Sequence, residues 1–209
     1  MSLNAIHDAV PSLCPKSYAH GRLSEGMGSF LATDFLDLFS TSSSAKGSGL
    51  SLVQKLVKLH STPAPIPEGY STPQFGFPVP TCCGDTQQDN SFKESWAEFY
   101  AENRLRGVWK AAEKNNGRDE KLERLVEQVA SIIVPRLLGD DHLKEGGTGE
   151  RIRPVTVHGD LWSGNHGRGT IAEGGVEEAV FDPSSAWAHS EFEFGIVSVI
   201  RMRGEEGVD

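Results

Sequence analysis

Val157-His158-Gly159-Asp160-Leu161-Trp162-Ser163-Gly164-Asn165, with Phe181-Asp182-Pro183 following at a spacing of 17 residues from Asn165 to Asp182, is the stretch on which the fold of this 209-residue chain turns. Pro154 to Val157 and Ala179 to Phe181 are short β-prone runs. Between them the sequence spells a strand, a polar loop with an Asp and an Asn five residues later, a turn, and a second strand ending in Asp. That is the layout of eukaryotic-type phosphotransfer sites: a loop Asp takes the proton of the attacking hydroxyl, and an Asn and a strand-end Asp bind Mg. Charge building on a transferred phosphoryl group must be met by metal ions, which need hard oxygen donors held rigidly. On this reading Asp160 is the base, Asn165 and Asp182 are the metal ligands, and His158 is a buried orienting residue.

Taken singly, these residues read as ordinary turn and cap residues. Their joint spacing is far rarer. A second reading comes from Gly159-Asp160 and Gly164-Asn165-His166, which match the G-D and G-N-H blocks of metallophosphoesterases. Those blocks must sit on separate loops to surround two metals, and here they share one. His7, His20, His60, His142 and His189 show no H-x-H or H-x-x-x-H ligand spacing either.

The rest of the composition narrows the classes. Lys plus Arg number 20 and Asp plus Glu 29, a formal charge of -9 with no basic patch, which argues against nucleic-acid and membrane-surface partners. No apolar run reaches the length of a membrane span, and Met1-Ser2-Leu3-Asn4 lacks signal-peptide character, so the expectation is a cytoplasmic protein. Cys14, Cys82 and Cys83 suit neither a disulfide framework nor zinc, and are expected as reduced thiols.

Along the chain, residues 2–10 read as a short helix stopped by Pro11, and residues 28–39 as a strand at their start. The Ser/Gly tract from Ser40 to Gly49 follows, then an amphipathic helix over Leu50 to His60 and a proline-rich loop through Pro80. Ser91-Phe92-Lys93-Glu94 has the form of a capping box, with Phe92, Trp96, Phe99, Tyr100, Val108, Trp109 and Ala112 on one helix face. Leu122, Leu125, Val126, Val129, Ile132 and Ile133 mark another helix that Pro135 kinks or ends. Residues 139–149 read as a surface loop, whose G-G-T-G lacks the Lys-Ser/Thr of a Walker loop, and Glu191 to Met202 as a last helix.

The stretch His158 to Asn165, H-G-D-L-W-S-G-N, resembles the catalytic loop of the fructosamine-3-kinase or ketosamine-3-kinase family, which belongs with the aminoglycoside phosphotransferases in the protein-kinase-like fold. Phe181 to Phe194, F-D-P-S-S-A-W-A-H-S-E-F-E-F, resembles its metal-binding segment. Phe75-Gly76-Phe77 and Thr81-Cys82-Cys83-Gly84 match a further signature, and Leu31-Ala32-Thr33-Asp34-Phe35-Leu36 is similar to the hinge between lobes. The resemblance implies an α+β, protein-kinase-like (aminoglycoside phosphotransferase-like) fold. Residues 1–39 would be a remnant of the N-lobe and hinge, with the N-lobe largely missing, and residues 40–209 a helical C-lobe, C-terminally incomplete. It implies ATP and Mg as cofactors, with adenine held around Asp34, Phe35 and Leu36. The implied reaction is phosphorylation of the sugar 3-hydroxyl of ketosamines, small or on glycated proteins, as a step of protein deglycation. Independently of the family, an indole at Trp162 beside the base suits stacking on a sugar or a cationic amine.

The chain departs from that family in holding no G-x-G-x-x-G and no Val-Ala-x-Lys strand, and in ending on a polar tail from Arg201 to Asp209. Three expectations follow: a ketosamine kinase truncated at both ends, an inactive fragment or pseudokinase-like binding module, or another small-molecule kinase of the same fold.

Overall fold

The computed structural model of the chain describes residues 1–39 and 49–195 and is α+β. In chain order the elements are α1 (Ser2–Ala9), β1 (Ser17–Arg22), β2 (Ser29–Thr33), β3 (Leu36–Leu38), α2 (Leu52–Ser61), β4 (Thr81–Cys83), β5 (Thr86–Gln88), α3 (Trp96–Phe99), α4 (Gly107–Asn116), α5 (Glu120–Gln128), α6 (Val134–Leu138), β6 (Val155–Val157), β7 (His166–Ile171), β8 (Val176–Val180) and β9 (Ala186–Ala188). Two compact units emerge. One comprises Met1–Thr62, Val157–Ser185 and the segment that begins at Glu191, the other Pro63–Thr156 and Ala186–Ser190. This grouping by compactness is a different division from the lobes expected over residues 1–39 and 40–209.

In the first unit, α1 stops before Pro11, and β1 and β2 form an antiparallel hairpin. The apolar run from Gly28 is broken at Asp34 and resumes as β3, which pairs with β7; the sheet order is β3-β7-β8. Ser51 caps α2 with Gln54 as its reciprocal partner, a capping box. Leu56 and Leu59 then face a core of Ile6, Val10, Leu13, Cys14, Leu161 and Val180. Burial pushes the Cys14 thiol up to about 12, and its Sγ donates to the Leu3 carbonyl, so it is an inert packing group.

Lys55 of α2 is fully buried in this unit. Its ammonium has three donors. Two of them meet Ser12 O at 2.7 Å and Glu178 O at 2.8 Å. Its Nζ also lies 2.7 Å from Glu177 Oε2, a charge contact without hydrogen-bond geometry. The Glu178 carboxylate in turn accepts the amide of Leu52 at the start of α2, so α2 and β8 are joined at two points.

The second unit holds the β4-β5 hairpin and the helices. The helix expected from Ser91 begins at Trp96, because Ser95 is the capping residue and accepts from the Glu98 amide. Ser91 instead accepts the side-chain amide of Asn103, and Phe92 stacks on Trp187. Seven residues of π-helix, Tyr100–Arg106, separate α3 from α4 and rotate the apolar face, so α4 buries none of its side chains. Pro135 does not end its helix: π-helical Val129–Ile133 precedes it and Pro135 sits in the first turn of α6, where a missing N–H costs little. Burial there falls on Ala130 and Val134, while Leu122, Leu125, Val129, Ile132 and Ile133 stay between 38 and 48% exposed among the described residues. Arg104 is buried, donates to Asp89 O and Asn90 Oδ1, and lies over Phe99; burial pushes it down to about 10. Cys82 and Cys83 lie on β4 and form no disulfide.

Of the last helix expected over Glu191 to Met202, the described part is a 3-10 turn, Ser190–Glu193, continued to Gly195; the remainder, like residues 40–48, lies outside the described residues. No helix among the described residues is long and apolar enough to cross a membrane.

Lys55→Met should lower stability by about 3 kcal/mol, because it removes the partner of the Glu177 carboxylate and leaves two carbonyl oxygens unsatisfied. Urea denaturation checks this; a change below about 0.5 kcal/mol would show that the buried ammonium is not a fixed point of the unit.

Candidate active site

The loop after β6 is built around His158, which has no solvent exposure. Its Nε2 lies 3.0 Å from the Phe181 carbonyl, which can only accept, so the ring proton sits there. Its Nδ1 receives the Asp160 amide at 3.3 Å. Both ring nitrogens are thereby committed and His158 is a neutral orienting group. Burial is the main cause that pushes its pKa down, against the opposing pull of the Glu193 carboxylate.

Gly159 has φ +82, and a Cβ there would collide with the Ser184 carbonyl. Only glycine satisfies both conditions, which lets the loop press against the segment following Asp182. The Asn165 side-chain amide donates to Asp160 O at 2.9 Å and to Asp160 Oδ2 at 3.1 Å. The Asn165 amide closes a turn on the Trp162 carbonyl at 2.9 Å. Its carbonyl accepts the Phe181 amide at 3.0 Å. Phe181 therefore meets His158 through its oxygen and Asn165 through its nitrogen, one residue before Asp182. Asp182 itself has φ +55, a left-handed conformation tolerated by Asp and costly for most residues. The structure thus joins His158, Asp160 and Asn165 by hydrogen bonds to one another and to Phe181, the residue before Asp182. Trp162 is 38% exposed and its indole covers Gly164, where any Cβ would strike the ring.

With its nitrogen turned to Asp160, Asn165 keeps Oδ1 as a hard oxygen donor, and Asp182 supplies a carboxylate. No group of three or more His, Cys, Asp or Glu able to hold a metal occurs among the described residues. The donor set fits a cation such as Mg that takes one or two protein oxygens and completes its shell with phosphate and water.

Asp34, Phe35 and Leu36, expected at the hinge, line with Asp182 one cleft of about 820 Å³, together with Leu31, Leu38 and Phe181. Asp34 is occupied: its carboxylate accepts from Tyr18 Oη at 2.6 Å and the Lys16 amide at 2.9 Å, and its own amide donates to Lys16 O. The Tyr18 hydrogen bond first, and then the Lys16 amide, hold it below the usual carboxylate range. The Phe35 carbonyl accepts the Ala172 amide. In the β3-β7 register Phe35 and Phe39 point their hydrogen-bonding groups at β7, so the N–H and C=O of Leu36 face the other edge of β3. Among Asp34, Phe35 and Leu36, Leu36 is the residue whose two backbone groups face the edge of β3 away from β7.

One residue escaped the sequence reading. Glu193 is 1% exposed, and its carboxylate accepts the amides of His158 at 2.6 Å and Gly159 at 3.0 Å. The available signal was an acid between Phe192 and Phe194 in a segment expected to pack, since a buried carboxylate requires donors.

The fructosamine kinase family model matches residues 1–205, and the chain belongs to that family of phosphotransferases. It is 36% identical to ketosamine-3-kinase of Mus musculus over 60% of the chain and 36% of the relative. It is 30% identical to the protein-ribulosamine 3-kinase, chloroplastic, of Oryza sativa subsp. japonica over 98% of the chain and 52% of the relative. A crystal structure from Thermobifida fusca assigned as a fructosamine-3-kinase superposes with a TM-score of 0.66 at 22% identity, over 95% of this chain and 57% of that one. The chain spans about half the length of the relatives it matches end to end.

Two outcomes test the loop. The His158 ring should titrate below its ordinary 6.5 by NMR. Because the folded value is depressed, its contribution to stability is present above about pH 6.5 and is lost as pH falls through the folded value; a midpoint above 6.5 would contradict the neutral assignment. Gly159→Ala should destabilise by about 2 kcal/mol or more, from the positive φ and the clash with Ser184 together. A neutral effect in urea denaturation would show that the loop does not press against that segment.

Proposed function

We propose that this chain carries the phosphotransfer centre of a ketosamine kinase, which uses ATP and Mg to phosphorylate the sugar 3-hydroxyl of a ribulosamine or fructosamine, free or on a glycated protein lysine, as a deglycation step. The observation that carries the reading is the cluster in which Asn165 grips Asp160 while its backbone binds Phe181, next to Asp182. Asp160 accepts the proton of the attacking sugar hydroxyl, oriented by the Asn165 amide and by His158 beneath the loop. Asn165 Oδ1 and Asp182 would hold Mg, which when bound neutralises the charge of the phosphates. Leu36 reads adenine in the cleft that ends at Asp182, and Leu31, Leu38 and Phe181 flank the base. Trp162, packed over Gly164 and partly exposed, stacks on the sugar or its cationic amine.

A second reading of the same residues is a nucleotide-binding module without transfer. Titration with ADP in the presence and absence of Mg, followed by an acceptor assay, separates the two. The kinase reading expects Mg-dependent binding and phosphorylation of ribulosamine-lysine in preference to aminoglycosides or choline. Asp160→Asn should cut turnover by about 100-fold or more while sparing most ADP affinity, and Asp182→Ala should weaken both. Binding without transfer supports the module, transfer to an aminoglycoside points to another small-molecule kinase, and full activity of Asp160→Asn would refute the base assignment.

A further inference from the structure

Helix α2 contributes two nearly sealed polar side chains that the phosphotransfer reading leaves unused. Lys55 is fully buried and the His60 side chain is 10% exposed. At 100° per residue they flank the stripe of Leu52, Leu56 and Leu59, one on either side. Lys55 and the Leu52 amide fix α2 to β8, as described above. At the other end, His60 Nε2 lies 3.4 Å from Glu193 Oε2, the same oxygen that accepts the His158 amide. A carboxylate has no proton to give, so the imidazole donates. Phe194 packs edge-on against the His60 ring at 5.9 Å between centroids, which limits its rotation.

We infer that His60 is a positioning residue: by donating to Glu193 it fixes the carboxylate that holds the amides of His158 and Gly159, and through them the placement of Asp160. The two amides reach Glu193 from the same loop, so by themselves they let carboxylate and loop shift together. The donor from α2 ties the pair to a helix that Lys55 anchors independently of the loop. The catalytic meaning of this arrangement rests on the phosphotransfer reading, whereas the chain of contacts does not.

Amide hydrogen exchange by NMR on the whole chain tests it, with His60→Leu removing the donor and His60→Gln retaining one. In His60→Leu, exchange of the His158 and Gly159 amides should accelerate by about tenfold or more, the loss expected for a hydrogen bond to a charged group, while the amides of Lys55 and Leu56 keep their rates. His60→Gln should restore most of the protection. In an acceptor assay, kcat should follow the same order with KM for MgATP unchanged, which a general loss of packing would not produce. Unchanged protection at His158 and Gly159 in His60→Leu overturns the inference. If His60→Leu does not fold, His60→Gln decides: native protection there supports the inference, and lost protection or failure to fold overturns it. Failure of the wild-type chain to bind ADP with Mg would instead count against the phosphotransfer reading, and the exchange result would stand apart from it.

Discussion

The acceptance of two consecutive loop amides by the buried Glu193 carboxylate is the interaction on which the candidate site depends. A carboxylate at 1% exposure is costly unless donors meet it, and here the donors are the backbone of the residues that precede Asp160. The requirement acts in both directions. Glu193 must have those amides, and the amides of His158 and Gly159, turned out of any strand pairing, must have an acceptor. The loop conformation is therefore set by a residue more than thirty positions away in sequence, and Asp160 inherits its position from that bond.

From this anchor the remaining geometry follows by short steps. His158 bonds to Phe181 on one side and to the Asp160 amide on the other, and Asn165 bonds to Asp160 and to Phe181. Each of these side chains is spent on holding a neighbour, so the loop has little freedom to relax when a substrate arrives. That is the preorganisation the proposed phosphoryl transfer would demand, since positioning and electrostatics supply most of the acceleration in such reactions. Two positions of the site have left-handed backbone: Gly159, where close approach also excludes any side chain, and Asp182, beside the cluster.

How much was legible in the sequence depended on whether the signal was local. The spacing from Asp160 to Asn165 and on to Asp182 is a backbone constraint, and it led directly to the cluster. Helix α2 announced itself by its apolar period, and α1 by the proline that follows it. Long-range choices were less visible. Ser91 and Ser95 both begin an S-x-x-E pattern, and which one caps the helix was decided by Asn103 claiming Ser91 and Trp187 claiming Phe92. The π-helical stretches at Tyr100–Arg106 and Val129–Ile133 shift the helix phase, so a constant period misplaced the buried face on both helices. Glu193 and His60 were hidden for the same reason: their meaning lies in partners far along the chain.

On the proposed reading, the loop bearing Asp160 and the strand end bearing Asp182 form one metal-dependent nucleotide site with the edge at Leu36. Replacing Mg by paramagnetic Mn in the presence of ADP, and mapping the broadened amide resonances, tests it most directly. Broadening centred on Asn165 and Asp182, falling off toward Leu36 and absent without ADP, is the predicted result. Broadening centred on another acidic group such as Glu177 and Glu178, or none at either Asn165 or Asp182, would contradict it.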